Sequence, residues 1–281
     1  MNELMLIGDP VGHSLSPEIH GIISEYMGVS RRYTLKRVPK DGLPQFVNDF
    51  RESGGAGFNV TLPHKSEIIK ELDYLSKEAR AIGAVNTVKR EGKELSGYNT
   101  DAHGFLRQLK SDNILVRNKT VKILGAGGSA RAIAYILNAD EAKNITIYNR
   151  NVEKASDICE QIGGVVDCKT LEEFTPACCD ILINTTSVGL YPNVGDSPVS
   201  SLADISPDTA VIDIIFNPLR TKFLQLAMDK GCCVYNGVKM LIYQALMAQE
   251  IWFEAELIGN DEFVAHIEDW LNRKISERKE P

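Results

Sequence analysis

Apolar and polar positions along the chain fall into two successive alternations. Through about residue 100, short apolar runs at Leu4–Gly8, Tyr33–Val38, Gly57–Val60 and Ala84–Val88 read as strands. The amphipathic stretches Pro17–Met27, Leu43–Arg51 and Ser66–Leu75 between them read as helices, which makes the first part an α/β pattern. A second alternation starts at Val121 and continues through Ile145–Tyr148, Ile181–Asn184, Val211–Ile215 and Cys233–Tyr235, with Ala130–Leu137 and Val152–Ile162 as helical spacers. That order predicts a doubly wound sheet. After Asn236-Gly237 come two long amphipathic stretches, Lys239–Leu257 and Glu262–Ser276, with no strand signal, and they are expected to return and cover the first domain.

Length makes two domains the expectation, because 281 residues exceed the size at which one hydrophobic core stops growing. Thr100-Asp101 reads as a helix start, the polar stretch Ser111-Asp112-Asn113 follows that helix, and Gly237 reads as a return hinge. The predicted division is 1–105 with 238–281 as one domain and 106–237 as the other. The charged tail Arg273–Pro281 is expected to be partly disordered.

Charge and cysteine usage narrow the function classes. A net charge of −7 without any dense run of Lys or Arg argues against nucleic acid or an anionic membrane as partner. The start Met1-Asn2-Glu3-Leu4 is acidic where an export signal is basic, and no apolar stretch is long enough to span a bilayer, so a cytoplasmic enzyme is expected. Six cysteines, at 159, 168, 178, 179, 232 and 233, and five scattered histidines show no zinc spacing, which predicts reduced thiols packed as small hydrophobes and no metal. Oligomeric state stays open between monomer and homodimer, with monomer as the working assumption. A stripe on the terminal helices that faces a partner looks the same in sequence as one that packs inward.

The pattern Gly125-x-Gly127-x-x-Ala130 follows a predicted strand and opens a predicted helix, the setting a dinucleotide turn requires. The first glycine permits the tight turn, the second lets backbone approach a pyrophosphate, and the small third residue lets helix pack on strand. Amides at the helix start then meet the phosphate charge. Glycine turns also serve simply to pack strands on helices. The next strand ends in Asn149-Arg150-Asn151, with Lys154 one turn on and no acid where an NAD-dependent protein places one on the ribose. A guanidinium fork and an ammonium there suit a 2′-phosphate, which favours NADP over NAD. Glu153 is read as an acid on the solvated helix face. As ordinary surface charges, Arg150 and Lys154 would be explained individually but not in their joint position.

Four polar clusters sit where strands give way to loops or helices: Gly12–Pro17, Asn59–Lys65, Gly83–Thr87 and Gly97–Asp101. With these, the cofactor turn, Asn149-Arg150, Asn184–Gly189, Asp213–Pro218 and Gly237–Gln244, the chain resembles the shikimate dehydrogenase family, in order and over almost its whole length. The resemblance implies an amino-terminal α/β substrate domain, a Rossmann cofactor domain, and reversible reduction of 3-dehydroshikimate to shikimate by NADPH in aromatic amino-acid biosynthesis. It implies that Ser14 and Ser16 bind the substrate carboxylate, that Thr61, Asn86 and Asp101 bind the ring hydroxyls, that Gln244 closes over the ring, and that Lys65 and Asp101 are the catalytic pair. Gly125, Ala126, Gly127, Gly128, Ser129, Asn149, Arg150, Asn151, Lys154, Thr186, Ile214 and Gly237 match the family's cofactor contacts.

The residue types agree with that chemistry. Hydride arriving at a ketone carbon builds negative charge on oxygen, and an ammonium there stabilises it and can deliver the proton. Lys65 read alone is a surface lysine opening a helix, Asp101 is a first-turn acid complementing the helix dipole, and Ser16 before Pro17 is an N-cap, which leaves Ser14 as the safer carboxylate contact. Phe216 stands where the family commonly carries tyrosine, so a hydroxyl worth about 0.5–1.5 kcal/mol is missing from the substrate side. Asn151 stands where Thr or Ser is usual. A quinate/shikimate dehydrogenase using NAD, and a non-catalytic protein sensing NADP(H) or a metabolite, are the competing expectations. Retention of both Lys65 and Asp101 counts against the second.

Overall fold

The computed structural model describes residues 3–257 and 260–277, so Met1 and Asn2 of the acidic start and residues 278–281 of the charged tail lie outside the described residues. The chain divides into two compact units, Met1–Asp101 with Ile242–Asp261, and Ala102–Leu241 with Glu262–Pro281.

The first unit contains β1 (Glu3–Gly8), α1 (Ser16–Tyr26), β2 (Arg32–Arg37), α2 (Leu43–Arg51), β3 (Gly57–Val60), β4 (Tyr74–Leu75), α3 (Lys77–Ile82), β5 (Thr87–Glu91) and β6 (Glu94–Tyr98). Its sheet runs β2-β1-β3-β5-β6-β4. β2, β1 and β3 are parallel, β5 turns antiparallel to β3, and β6 forms a hairpin with β5 in which Glu91 faces Glu94. Alternation along β1 sends Ile7 to one face and Leu4 to the other. On the Ile7 face, Phe46 and Phe50 of α2 meet Phe58 of β3 edge-on, with centroids 5.2 and 4.7 Å apart. On the Leu4 face sits Trp252, whose Nε1–H donates to the Val88 carbonyl at 2.9 Å.

The second unit takes most of α4 (Asp101–Ser111), then β7 (Thr120–Leu124), α5 (Gly128–Ala139), β8 (Asn144–Asn149), α6 (Val152–Ile162), β9 (Val166–Thr170), β10 (Ile181–Asn184), β11 (Ala210–Asp213), α7 (Lys222–Met228) and β12 (Cys233–Tyr235). Every strand pair in its sheet is parallel, in the order β12-β11-β10-β7-β8-β9. That is the doubly wound order, with its reversal between β7 and β10. α8 (Val238–Phe253) joins the first unit from Ile242 onward, and α9 (Asp261–Glu277) groups with the second from Glu262.

Several elements differ from the periodicity reading. α9 was expected over the first domain, but Glu268 lies close to Lys239 and Asp112 of the second unit, where burial pushes its carboxyl up. An amphipathic stripe does not say which core it covers. The stretch 66–75 is a 3-10 turn at Glu67–Glu71 followed by the short β4. α3 was not predicted. It is capped by Ser76, whose Oγ accepts the Ala79 N–H at 3.1 Å, and it stops at Gly83 with φ +71. β5 begins at Thr87, three residues later than expected, because Val85 N–H bonds Lys65 and Asn86 N–H bonds Tyr98 before the ladder starts. β6, β9 and α7 were also missed, and the helix runs through Arg273–Glu277, where disorder was expected. Among the cysteines, Cys179 and Cys232 pack in the second core, whereas Cys178 and Cys233 are exposed. No described helix is long and apolar enough to cross a membrane.

Gly57 is the tightest point of the first sheet. A Cβ there would lie 2.3 Å from both Trp252 Nε1 and the Val88 carbonyl oxygen, the two atoms that bond each other. Gly57→Ala is therefore expected to destabilise the protein by about 1–3 kcal/mol, as overpacked sites do. A lower midpoint in urea unfolding, with the slope unchanged, is the measurement that checks it.

Candidate functional site

In the first unit three of the four polar clusters, Asn59–Lys65, Gly83–Thr87 and Gly97–Asp101, are drawn together by backbone bonds between strand ends. Thr61 N–H donates to the Ile7 carbonyl, Asp9 N–H to Leu62 and Val60 N–H to Asn86, each at 2.9 Å. The loop after β3 thus crosses directly over the end of β1. Gly8 permits this, since a Cβ at that position would sit 2.4 Å from Thr61 Cγ2.

At the centre, Lys65 Nζ donates to Asp101 Oδ2 at 2.6 Å. Asp101 is buried at the first position of α4 and Lys65 is half-buried. Lys65 precedes the 3-10 turn at Glu67–Glu71 rather than an α-helix. Asp101 Oδ1 accepts from Asn86 Nδ2 at 2.8 Å, and the same nitrogen donates to Thr100 Oγ1 at 2.9 Å. Asn86 Oδ1 accepts the Thr100 N–H at 2.8 Å and the Thr87 hydroxyl at 3.0 Å. Both ends of the Asn86 amide are thus engaged within the protein.

Ser14 and Ser16 lie together, but their roles exchange. Leu15 is the N-cap position of α1 and makes no side-chain cap, while Ser16 is the first helical residue. Ser14 Oγ accepts the Ser16 N–H at 3.1 Å and donates to Ser16 Oγ at 3.0 Å. The competition between capping and ligand binding expected at Ser16 therefore falls on Ser14. Thr61 is half-buried beside β1, and Gln244 is half-buried on α8.

In the second unit, β7 ends at the glycine turn. Gly125 has φ +102, and a Cβ there would meet Thr186 Cγ2 at 2.8 Å and Thr185 Oγ1 at 2.9 Å, so only glycine fits. Space over Gly127 is open, Ala130 is wholly buried, and Gly127 opens α5 with no side-chain cap. This is a helix start suited to an anion. Arg150, Asn151, Glu153 and Lys154 are exposed at the end of β8. The side chains of Arg150 and Lys154 pair with no acid among the described residues, so both cations are available to a phosphate. Asn151 is engaged within the chain. Its Oδ1 caps α6 by accepting the Lys154 N–H at 3.2 Å, and its carbonyl accepts Asn149 Nδ2 at 2.7 Å.

β10 and β11 are tied at their ends by a buried carboxyl. Asp213 Oδ1 accepts Asn184 Nδ2 at 3.0 Å and the Ile215 N–H at 3.1 Å, and Oδ2 accepts the Thr221 hydroxyl at 2.7 Å. Asn184 Oδ1 in turn holds both the N–H and the hydroxyl of Thr186. Next to it the chain is crowded. A Cβ on Gly237 would stand 2.0 Å from the Ile214 carbonyl oxygen. Ile214 and Phe216 are half-buried, and Phe216 brings no hydroxyl.

Residues 6–88 match the family model of the shikimate dehydrogenase substrate binding domain, and residues 108–216 match that of shikimate / quinate 5-dehydrogenase. The chain belongs to the shikimate dehydrogenase family. A shikimate dehydrogenase (NADP(+)) of Methanococcus aeolicus is 42% identical over 254 residues, covering 89% of this chain and 91% of the relative. That of Bacillus licheniformis is 43% identical over 250 residues, covering 88% and 90%. The crystal structure of shikimate 5-dehydrogenase from Thermus thermophilus in complex with NADP(H) and shikimate matches with a TM-score of 0.85 at 33% identity, over 96% of this chain and 100% of that one. As in other shikimate dehydrogenases, the fold is a substrate unit and a Rossmann unit.

Reading by motif placed Asn59, Thr87 and Thr100 in the polar clusters of this shikimate dehydrogenase but gave them no role, and it passed over Tyr33. Tyr33 on β2 belongs to no motif, yet its hydroxyl donates to Asn59 Oδ1 at 2.7 Å. Thr87 and Thr100 are wholly or almost wholly buried. One signal was available: Asn59 interrupts a strand that is buried at every position, and a buried amide needs partners.

Burial pushes the Asp213 carboxyl up to about 6, against the lowering effect of its bonds to Thr221, Ile215 and Asn184. A carboxyl that binds its proton more tightly folded than unfolded contributes stability fully present below about pH 4 and lost as pH rises through 6. The shift of about two units corresponds to about 3 kcal/mol. In Asp213→Asn that component disappears, so the wild type should lose up to about 3 kcal/mol relative to the variant between pH 4 and 7. Urea unfolding of both proteins across that range is the check, and parallel stability profiles would refute the assignment.

Proposed function

We propose that this protein catalyses the reversible NADPH-dependent reduction of 3-dehydroshikimate to shikimate, a step toward chorismate and the aromatic amino acids, as a cytoplasmic enzyme that works as a monomer. The observation that carries this reading is the Lys65–Asp101 pair at 2.6 Å, seated on Asn86, in a chain of this family whose second unit has a glycine turn and, at the next strand end, two cations with no acid partner among the described residues. The first unit is the substrate domain and the second the NADP-binding domain.

Reduced NADP, when bound, supplies the hydride. Gly125 to Ser129 hold its pyrophosphate, Arg150 and Lys154 its 2′-phosphate, and the backbone at Thr186, Ile214 and Gly237 the remainder. Lys65 stands at the carbonyl oxygen of the substrate and meets the negative charge that develops there, giving up its proton as the alcohol forms. Asp101 holds the ammonium in place through their 2.6 Å bond, and in the oxidative direction the pair takes the hydroxyl proton back. Ser14 and Ser16 receive the carboxylate with short O–H donors, and Thr61 and Gln244 complete the ring contacts. Asn86 contributes through Asp101, because its amide is already satisfied within the protein.

Lys65→Ala is expected to lower kcat by about a hundredfold to ten-thousandfold, the range for removal of a general acid, while shikimate affinity measured by calorimetry changes only modestly. Wild-type turnover in that variant would remove Lys65 from the mechanism. Arg150→Gln should weaken NADP by about tenfold to a hundredfold, the loss of a charge-assisted bond, and leave NAD nearly unchanged. Fluorescence titration with each cofactor reads the difference, and equal losses would place the 2′-phosphate elsewhere. Spectrophotometric turnover with shikimate and quinate, each paired with NADP and NAD, tests the reaction itself: activity confined to shikimate with NADP supports the assignment, and comparable activity with quinate or NAD overturns its specificity.

A further inference from the structure

The buried polar groups of the first unit share one direction of donation. Tyr33 is half-buried, with desolvation raising its pKa against a hydrogen bond from Ser16, and its ring stacks on His20 at 4.1 Å and 8°. It donates to Asn59 Oδ1 at 2.7 Å. With that oxygen occupied, the Asn59 amide nitrogen faces the Asn86 carbonyl oxygen at 3.1 Å and Thr87 Oγ1 at 3.0 Å. The reverse orientation would set the Asn59 oxygen against the Asn86 carbonyl. Thr87, having received an N–H, directs its own proton to Asn86 Oδ1 at 3.0 Å, with Thr100 Oγ1 at 3.4 Å as the weaker choice. Asn86 Oδ1 also accepts the Thr100 N–H, so its Nδ2 must face Asp101 Oδ1 at 2.8 Å. The far oxygen of Asp101 holds Lys65.

We propose that Tyr33, Asn59 and Thr87 are positioning residues, forming a one-way hydrogen-bond relay that, together with the Thr100 N–H, holds the Asn86 amide firmly with its N–H toward Asp101 and so keeps the Lys65–Asp101 pair in register for proton transfer. This rests on the assignment of Lys65 and Asp101 as the proton-handling pair. Without the relay Asn86 Oδ1 keeps only its donors from Thr100, so the amide is held less firmly, its bond to Asp101 Oδ1 loosens and the carboxylate is less well aimed at the ammonium. Thr87 is the point of control, because it is wholly buried and its hydroxyl alone both receives from Asn59 and donates to Asn86.

Thr87→Val removes the hydroxyl while keeping the shape. It is expected to lower kcat by about tenfold, the equivalent of roughly 1.4 kcal/mol in the barrier. Thr87→Ser, which keeps the hydroxyl, should restore most of that turnover. Tyr33→Phe, one link further out, should lower kcat in the same direction and by less, and serves as the test if the valine variant does not fold. In an Asp101→Asn background, Thr87→Val should change the residual turnover by less than about twofold, because the relay acts only through that carboxylate. Undiminished kcat in both Thr87→Val and Tyr33→Phe, a serine variant as slow as the valine, or the same tenfold drop in the Asp101→Asn background would each overturn the relay. Wild-type turnover in Lys65→Ala and Asp101→Asn would instead overturn the catalytic pair beneath it, so the two failures are separable.

Discussion

A lysine and an aspartate held together in a largely buried place set the terms for the rest of the first unit. Removing either charge from water costs several kcal/mol, and only a close partner with satisfied remaining hydrogen-bonding sites repays it. Lys65 and Asp101 meet at 2.6 Å, and the second oxygen of Asp101 has its own donor in Asn86. That requirement spreads outward. Asn86 needs donors for its oxygen, Thr87 and Thr100 supply them, and Asn59 and Tyr33 satisfy Thr87 in turn. Buried polar groups tolerate few gaps, so a network of this kind specifies where five separate segments must lie.

The sheet of the first unit departs from a simple α/β alternation for the same reason. The antiparallel hairpin of β5 and β6 brings Asn86 and Thr87 at its entrance close to Asn99, Thr100 and Asp101 at its exit. In a parallel pair the entrance of one strand and the exit of the next would lie at opposite edges of the sheet. Gly57 and Gly8 then let Trp252 and the loop at Thr61 approach the backbone closely enough to close both faces around the cluster.

In the second unit the governing constraint is close approach of backbone at strand ends. The parallel sheet opens at its reversal between β7 and β10, and Gly125 there touches Thr185 and Thr186. One strand further on, Gly237 touches Ile214. Neither contact leaves room for a side chain. The buried Asp213 ties β10, the segment at Ile215 and the start of α7 to one carboxyl, so an acid in an apolar setting holds the ends of the sheet in place.

Periodicity and spacing were enough to read the class of fold, the second alternation of strands and helices, and the glycine turn, because each depends on local rules: side-chain alternation, helix period and left-handed backbone. The order of motifs pointed to Lys65, Asp101, Ser14, Ser16 and the candidate cofactor residues, of which the structure brings Lys65 and Asp101 into contact. The hairpin at β5 and β6, the 3-10 turn after Lys65, the unit that α9 joins, and the exchange of roles between Ser14 and Ser16 were decided by tertiary structure. So were the parts played by Tyr33 and Thr87, whose side chains acquire meaning only from donors and acceptors that lie up to 28 residues away in the chain. A hydrogen-bond direction belongs to a pair of groups in space, and no single position along a sequence carries it.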